Sequence, residues 1–427
     1  MKVLIISPYF PPANAADMQR IRMSLPYFKK FDCFVEVMAV NMQEVDIVKD
    51  DLLIESVPND ITIHWVSAFS KKWTSKIGLG SIALRSLIYF YRGGCKLLES
   101  KKIDLVYFST TQFPVCILGA FWKRKYNVPY IIDMQDPWYS TYYLSKPRNE
   151  RPSKFWLSYF LNKFMEPIAM NSVDGIISVS SAYIDILKER YLNIKNIPTE
   201  IITFGAFSKD FDIAKNNISF QYNLNENTTN IVYVGRGGAD MVDAVTLLFN
   251  AFKLGLKNKN HIYNNIRFYF IGTSYATNGK GIKSIEPISI KFGINDYVIE
   301  ETDRLPFYAT LNLLQKADVL FIPGSSDSQY TASKIYPYIM ANKPIIAIFN
   351  ALSSAVAILR KCTPENCVST FQDEHNQVMN SICLFLENII TNRIKTMTYN
   401  DEVFKEYSAV SMVEKQVTLF NKIVNQS

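Results

Sequence analysis

Short apolar runs rich in β-branched and aromatic residues alternate with helical stretches along the whole chain, and this alternation restricts the fold more than any other feature. Val3–Ser7, Val35–Val40, Leu105–Ser109, Tyr130–Asp133 and Gly175–Ser178 read as strands, with helical patterns over Asp17–Lys30, Ser81–Glu99 and Ser153–Met170. Continuous apolar strands separated by helices specify a parallel sheet covered on both faces. The pattern pauses at Ile202–Phe207 and along the polar run Lys209–Asn230, then restarts. Ile231–Val234, Arg267–Ile271, Val319–Ile322 and Pro344–Ile348 read as strands, and Asp243–Leu256, Leu311–Lys316 and Ser333–Ala341 as helices. The expected fold class is α/β: two doubly wound, Rossmann-like parallel-sheet domains facing across a cleft, residues 1–205 and 206–400. A helical tract in residues 401–427 can pack on either half and is drawn back onto the first.

With 427 residues, about 150 per domain, the chain has length for two to three cores. Its 48% hydrophobic and 20% charged residues exclude a disordered or fibrous protein. Six scattered Cys without a CxxC pair read as buried thiols of a reducing compartment, and three isolated His argue against a histidine metal centre. A net charge of +7 suits phosphorylated small molecules or anionic lipid as well as nucleic acid. The apolar start Val3–Ile6 is too short for a signal peptide, and Asp104, Thr110, Thr111, Gln112 and Pro114 spoil Ile103–Trp122 as a membrane span. A cytoplasmic protein that touches membrane without crossing it is expected.

Open parallel sheets bind ligands at the carboxyl ends of their strands, so chemistry is sought in the loops that follow. The first loop, Pro8–Ala16, lacks glycine, which excludes a GxGxxG dinucleotide site; Pro12, Ala13 and Asn14 read either as a rigid turn or as a cleft lining. The loop Gly235-Arg236-Gly237-Gly238 lets backbone approach a ligand, and Arg236 can fork onto a diphosphate. Beyond Val319–Pro323, a Ser-rich loop leads to a helix start carrying Thr331, Ser333 and Lys334, a composition suited to an anion.

Taken in order, these segments resemble the GT-B glycosyltransferases, specifically the retaining glycosyltransferase family 4. The likeness runs through Lys2–Pro12, Ile131–Trp138, Asp174–Ser180, Phe204–Ala206, Val234–Arg236, Gln315–Leu320 and Ser333–Tyr336. It implies a nucleotide-sugar co-substrate, UDP- or GDP-linked, held mainly by the second domain, an acceptor held by the first, retention at the anomeric carbon, and no metal or other cofactor. It assigns Arg236 and Lys334 to the leaving diphosphate, Gly237, Gly238, Ser333 and Thr331 as supporting donors, Tyr336 as a ribose neighbour, and Asp136 as the catalytic carboxylate near the reacting centre. The acceptor expected is a glycan or polyprenyl-linked lipid of bacterial surface polysaccharide or glycoconjugate synthesis.

The chain departs from that family where Gln329 and Pro337 replace its two Glu, where Met241 and Val242 replace a Lys, where Ala15 and Ala16 replace a glycine pair, and where Gln135 replaces the His or Arg before Asp136. A catalytically inactive nucleotide-binding or scaffolding protein on the same fold, and a nucleotide-sugar epimerase or hydrolase, are the alternatives. Asp210-Phe211-Asp212 fits a metal-binding DxD but lies in the polar run. Two segments interleave aromatic and basic residues, Lys71–Arg92 and Lys146–Phe164. Each is consistent with docking at a membrane interface or with a core-facing helix bearing a basic edge. No recognition motif for nucleic acid accompanies them.

Overall fold

The computed structural model describes residues 1–100, 102–139, 144, 147–148, 151, 155–217, 222–274, 276, 279–325 and 333–426. Within these the chain divides into two compact units, Met1–Gly205 with Tyr407–Ser427, and Ala206–Glu406.

The first unit carries seven parallel strands: β1 Lys2–Ile6, β2 Phe34–Val40, β3 Thr62–Val66, β4 Leu105–Ser109, β5 Tyr130–Met134, β6 Gly175–Ser178 and β7 Thr199–Ile201. Their spatial order is β3-β2-β1-β4-β5-β6-β7, with Lys2 opposite Phe34 and Val3 opposite Leu105. Val3, Leu4, Ile5 and Ile6 are all fully buried, because both faces of the sheet are covered. One face meets Phe90, Leu118, Trp122 and Met165, from helices Ile82–Ser100, Ile117–Tyr126 and Phe155–Met170. On the other, the helix Ala409–Val424 sets Phe420 against Tyr107 and Phe28, with ring centroids 5.0 and 6.4 Å apart. Under that face lies a fully buried ion pair, Arg20 to Asp133 at 2.7 Å. Tyr107, Ser109 and Gln135 donate to the same carboxylate oxygen, and Arg20 also donates to the Ile202 and Thr203 carbonyls. So many partners offset the cost of dehydrating both charges.

The second unit repeats the plan with β8 Thr229–Val234, β9 Ile266–Ile271, β10 Val298–Glu301, β11 Val319–Pro323, β12 Ile345–Phe349 and β13 Cys367–Thr370, all parallel, in the order β10-β9-β8-β11-β12-β13. Helix Val242–Tyr263 buries Phe249 and Phe252 against Phe268, at centroid distances of 5.7 and 4.9 Å.

Several expected elements differ. The helix expected over Asp17–Lys30 is shorter, Gln19–Ser24 followed by a 3-10 turn Phe28–Phe31, because Pro26 cannot continue the ladder. The tract expected as one helix over Asp401–Val424 breaks into Asp401–Phe404, a 3-10 turn Lys405–Tyr407, and Ala409–Val424 capped by the Ser408 hydroxyl. The polar run contains a helix, Ser208–Asn216. On it Asp210 is buried and receives the Tyr308 hydroxyl at 3.2 Å, whereas Asp212 is exposed. Residues two apart on a helix point in different directions, so this DxD is no chelate. Strands β3, β7, β10 and β13 fall outside the expected set; each lies away from the central run of its sheet.

Candidate functional site

Both sheets reverse their strand order once, between β1 and β4 in the first and between β8 and β11 in the second. Such reversals splay the following loops apart and leave a crevice at the carboxyl ends.

In the second unit the crevice is cationic. Strand β11 pairs with β8 only at Val319–Ile231 and Leu320–Val232. Beyond that point the Tyr338 hydroxyl takes the place of a strand partner, accepting from the Val234 N–H at 2.9 Å and reaching the Val234 carbonyl at 3.3 Å. This pins the helix Ile335–Met340 across the end of β8 and brings Lys334, the residue before it, over the Gly235 loop. The Lys334 ammonium donates to the Tyr233 hydroxyl at 3.3 Å and lies 5.2 Å from the centre of that ring. The Tyr233 hydroxyl in turn donates to the Arg236 carbonyl at 2.8 Å. Dehydration first, then the nearby Arg236 and Arg304 charges, push the Lys334 ammonium down to about 8 from an ordinary value of 10.5. Gly235 makes room for it: a Cβ there would collide with Lys334 Nζ and sit 2.7 Å from the Tyr233 oxygen.

Arg236 is forked onto Asp240, Nη1 to Oδ1 at 2.9 Å and Nη2 to Oδ2 at 2.7 Å, and this pairing holds the Asp240 carboxyl below its usual range. The Gly237 N–H, expected to face phosphate, donates instead to the Thr273 carbonyl at 2.8 Å, and the missing side chain there gives space to Ser284. A second carboxylate of the chain, the buried Glu300, closes the start of helix Glu286–Phe292 by accepting from Ser284, Ile285 and Glu286 N–H at 2.7–2.9 Å. Gly238 lies in the loop beside Arg236, and Ser333 is exposed next to Lys334. Thr331 and Gln329 lie outside the described residues. Tyr336 is buried with its ring 6.4 Å from Phe404, so it lines no open space; Tyr338 is the tyrosine of this helix that reaches the strand ends.

In the first unit the corresponding crevice is acidic. The loop after β1 is held to residues 48–50 by Asn14 N–H to Val48 O at 2.9 Å and Asp50 N–H to Pro12 O at 2.8 Å. Ala13 is fully buried in the core, while Pro12 and Asn14 are half-buried. The loop ends at Asp17, whose buried carboxylate accepts from the Thr110 hydroxyl at 2.8 Å and the Thr111 N–H at 3.1 Å, tying the far end of this loop to the residues after β4. Burial raises its pKa despite these bonds. Asp136, two residues past β5, has an exposed carboxylate at the wall of a pocket of about 500 Å³ that Phe113, Trp138, Leu157 and Leu161 also line. Partial dehydration, then the Asp17 charge, raise its pKa as well. Trp138 stacks on Phe113 at 5.3 Å and donates to Asn162 at 3.2 Å. A second pocket, of about 540 Å³, opens by Pro129, Asp174 and Pro198 at the opposite ends of the strands, where its Lys123 is paired with Asp174 at 2.6 Å.

Sequence reasoning missed Arg304, Asp17, Asp240 and Tyr338. Asp17 left a signal, an acid at the start of an expected helix at a strand's carboxyl end, and so did Asp240, an acid four residues after Arg236. Among the described residues no group of three or more His, Cys, Asp or Glu gathers as metal ligands would, and no helix is long and apolar enough to cross a membrane.

No protein-family model matches the chain, and no curated protein matches it in sequence. Solved structures match it over its whole length. Sucrose-phosphate synthase from Thermosynechococcus elongatus has a TM-score of 0.60 at 13% identity, with 100% of each chain covered. HepE from Anabaena, solved with UDP and glucose, has a TM-score of 0.60 at 14% identity, covering 99% of this chain and 100% of its own. A point mutant of TarM from S. aureus, solved with fondaparinux, alpha-GlcNAc-glycerol and UDP, has a TM-score of 0.55 at 10% identity, covering 98% and 99%. The fold is that of the GT-B glycosyltransferases, two Rossmann-like parallel-sheet domains.

Proposed function

We propose that the protein is a GT-B glycosyltransferase that moves a sugar from a nucleoside-diphosphate donor, bound by residues 206–400, to an acceptor hydroxyl bound by residues 1–205. One observation carries this reading. Lys334 is dehydrated beside two guanidinium groups, at the strand-order reversal of its sheet, and its partner among the described residues is a phenol and not a carboxylate. An ammonium so placed is stabilised by an incoming polyanion, which a diphosphate supplies. UDP is the first nucleotide to test, because HepE and TarM were solved with it.

In the proposed reaction the bond between the anomeric carbon and the diphosphate oxygen breaks, and a bond from the acceptor oxygen to that carbon forms on the same face, with retention. The acceptor proton passes to the departing diphosphate. Lys334 stabilises the charge that develops there as a preorganised donor, joined by Arg236, without help from a metal and with Gly238 and Ser333 beside them. Arg236 must turn from Asp240 to reach phosphate, so Asp240 keeps its guanidinium oriented until donor arrives. Asp136 accepts a hydrogen bond from the acceptor hydroxyl, and Pro12 and Asn14 border the same side. Membership of the retaining family 4, a glycan or polyprenyl-linked acceptor, and a cytoplasmic role in surface polysaccharide or glycoconjugate synthesis belong to the same proposal.

The test is calorimetric titration with UDP and GDP, followed by turnover of nucleotide sugars over a panel of glycan and lipid-linked acceptors. Binding followed by acceptor-dependent release of UDP or GDP supports transfer. Donor consumption without acceptor makes the protein a hydrolase or epimerase. The replacement of both family Glu by Gln329 and Pro337 favours a second reading, a nucleotide-binding protein without transfer, which predicts binding and no turnover.

A further inference from the structure

The helix Phe155–Met170 is apolar nearly all round. Met165 and Ala169 face the core, and Leu157 and Leu161 line the pocket beside Asp136. Its outer stripe, at a spacing of four, is Trp156, Phe160 and Phe164, which are 50, 59 and 70% exposed. A helix of this kind is normally covered. The segment Lys71–Gly80 lies beside it: both border the same pocket, and a side chain at Gly78 would collide with Leu157. That segment adds Trp73, 68% exposed.

Cations are threaded through the aromatic patch. Lys76 sits 4.8 Å from the Trp73 ring, Arg151 5.4 Å from the Trp156 ring and Lys163 6.0 Å from the Tyr159 ring. Lys71 and Lys72 are exposed alongside, the former 3.5 Å from Asp46. No Asp or Glu occurs between Phe69 and Leu98. In Phe155–Met170 the sole acid is Glu166, buried and paired with Arg190.

We propose that this face is a docking surface for an anionic lipid bilayer, with Trp73, Trp156, Phe160 and Phe164 seated among the headgroups and Lys72, Lys76 and Lys163 on lipid phosphates. Rings with adjacent cations are what an interface that is apolar below and negative above takes up. A second copy of the chain fits worse, since a two-fold contact would set Lys and Arg against themselves. The surface does not depend on the donor-site reading. Joined to it, docking would present a lipid-borne hydroxyl to the pocket that Asp136 borders.

The full-length protein is sedimented with vesicles of phosphatidylcholine alone and with vesicles containing about one-third phosphatidylglycerol. Expected is binding to the anionic vesicles, stronger by roughly fivefold for each engaged cation and weakened by salt, with a blue shift of tryptophan emission. Trp156→Ser with Phe160→Ser and Phe164→Ser should reduce binding at least about tenfold. The all-surface variant Lys72→Glu with Lys76→Glu and Lys163→Glu should erase the preference for anionic lipid while keeping the fold and UDP affinity. No binding by the wild type, equal binding to both vesicles, or a dimer that the aromatic variant dissociates each overturns the proposal. Loss of UDP binding alone would strike the donor-site reading and leave this one standing.

Discussion

The two sheets share strand order and a single reversal point, yet their crevices carry opposite charge. In the first, Asp17 ties the loop after β1 to the residues after β4, with Asp136 near enough to feel its charge. In the second, Arg236, Lys334 and Arg304 crowd the ends of β8, β10 and β11. Topology supplies the place, and a handful of loop residues set its charge, acidic in one unit and cationic in the other.

The contrast can be broken at several points. In turnover, Asp136→Asn should cost about 10- to 150-fold, the worth of a hydrogen bond to a charged group, with UDP affinity unchanged; full activity would remove Asp136 from the chemistry. Next come Arg236→Ala and Lys334→Ala, each expected to weaken UDP binding by about 1.5–3 kcal/mol in calorimetry. If neither changes affinity, the cations do not hold the diphosphate. Gly235→Ala should also weaken UDP binding without removing a charge, because its methyl group displaces the ammonium, crowds the Tyr233 oxygen and strains a backbone at φ +157°. Combining it with Lys334→Ala should cost less than the sum of the two.

Proton linkage offers a finer test. Dehydration, with the Arg236 and Arg304 charges, holds the Lys334 pKa down to about 8, and a diphosphate placed beside it is expected to raise that pKa. Binding therefore takes up a proton above pH 8. UDP affinity should hold steady between about pH 7, where the terminal phosphate of UDP is ionised, and pH 8, and then fall as pH rises, by up to about tenfold per unit, until the bound-state pKa is reached. Lys334→Met should flatten that fall, whereas a slope that survives the substitution would assign the proton elsewhere. The smallest effect is expected from Asp17→Asn. Since the Asp17 charge helps raise the Asp136 pKa, its removal should move the acid limb of the pH–rate profile to lower pH.

The central strands were legible because burial on both faces leaves unbroken apolar runs, as in Val3–Ile6 and Ile345–Phe349. Strand β3 was not, because Thr62 and Trp65 are exposed. Strand β10 hid because Glu300 and Glu301 interrupt it, and with it went Arg304. Arg236 and Lys334 could be read locally, one in a glycine loop after a strand and one before a helix. The partner of Arg236, Asp240, is also local, four residues on, but the contacts that place Lys334 are not. Tyr338 meets Val234 and Lys334 meets Tyr233 across more than a hundred residues, and no local pattern records such meetings. The same limit hid the contact of Tyr338 with Val234, two positions along one short helix from Tyr336, whose ring meets Phe404.

The route of the chain has a consequence for biogenesis. Residues 206–406 form an uninterrupted insertion, whereas the first unit is finished only when Phe420 reaches Tyr107 and Phe28. During synthesis the second unit is complete while one face of the first sheet is still uncovered. A ribosome-stalled chain released at Glu406 would leave that half with an uncovered sheet, exposed to chaperones and proteases.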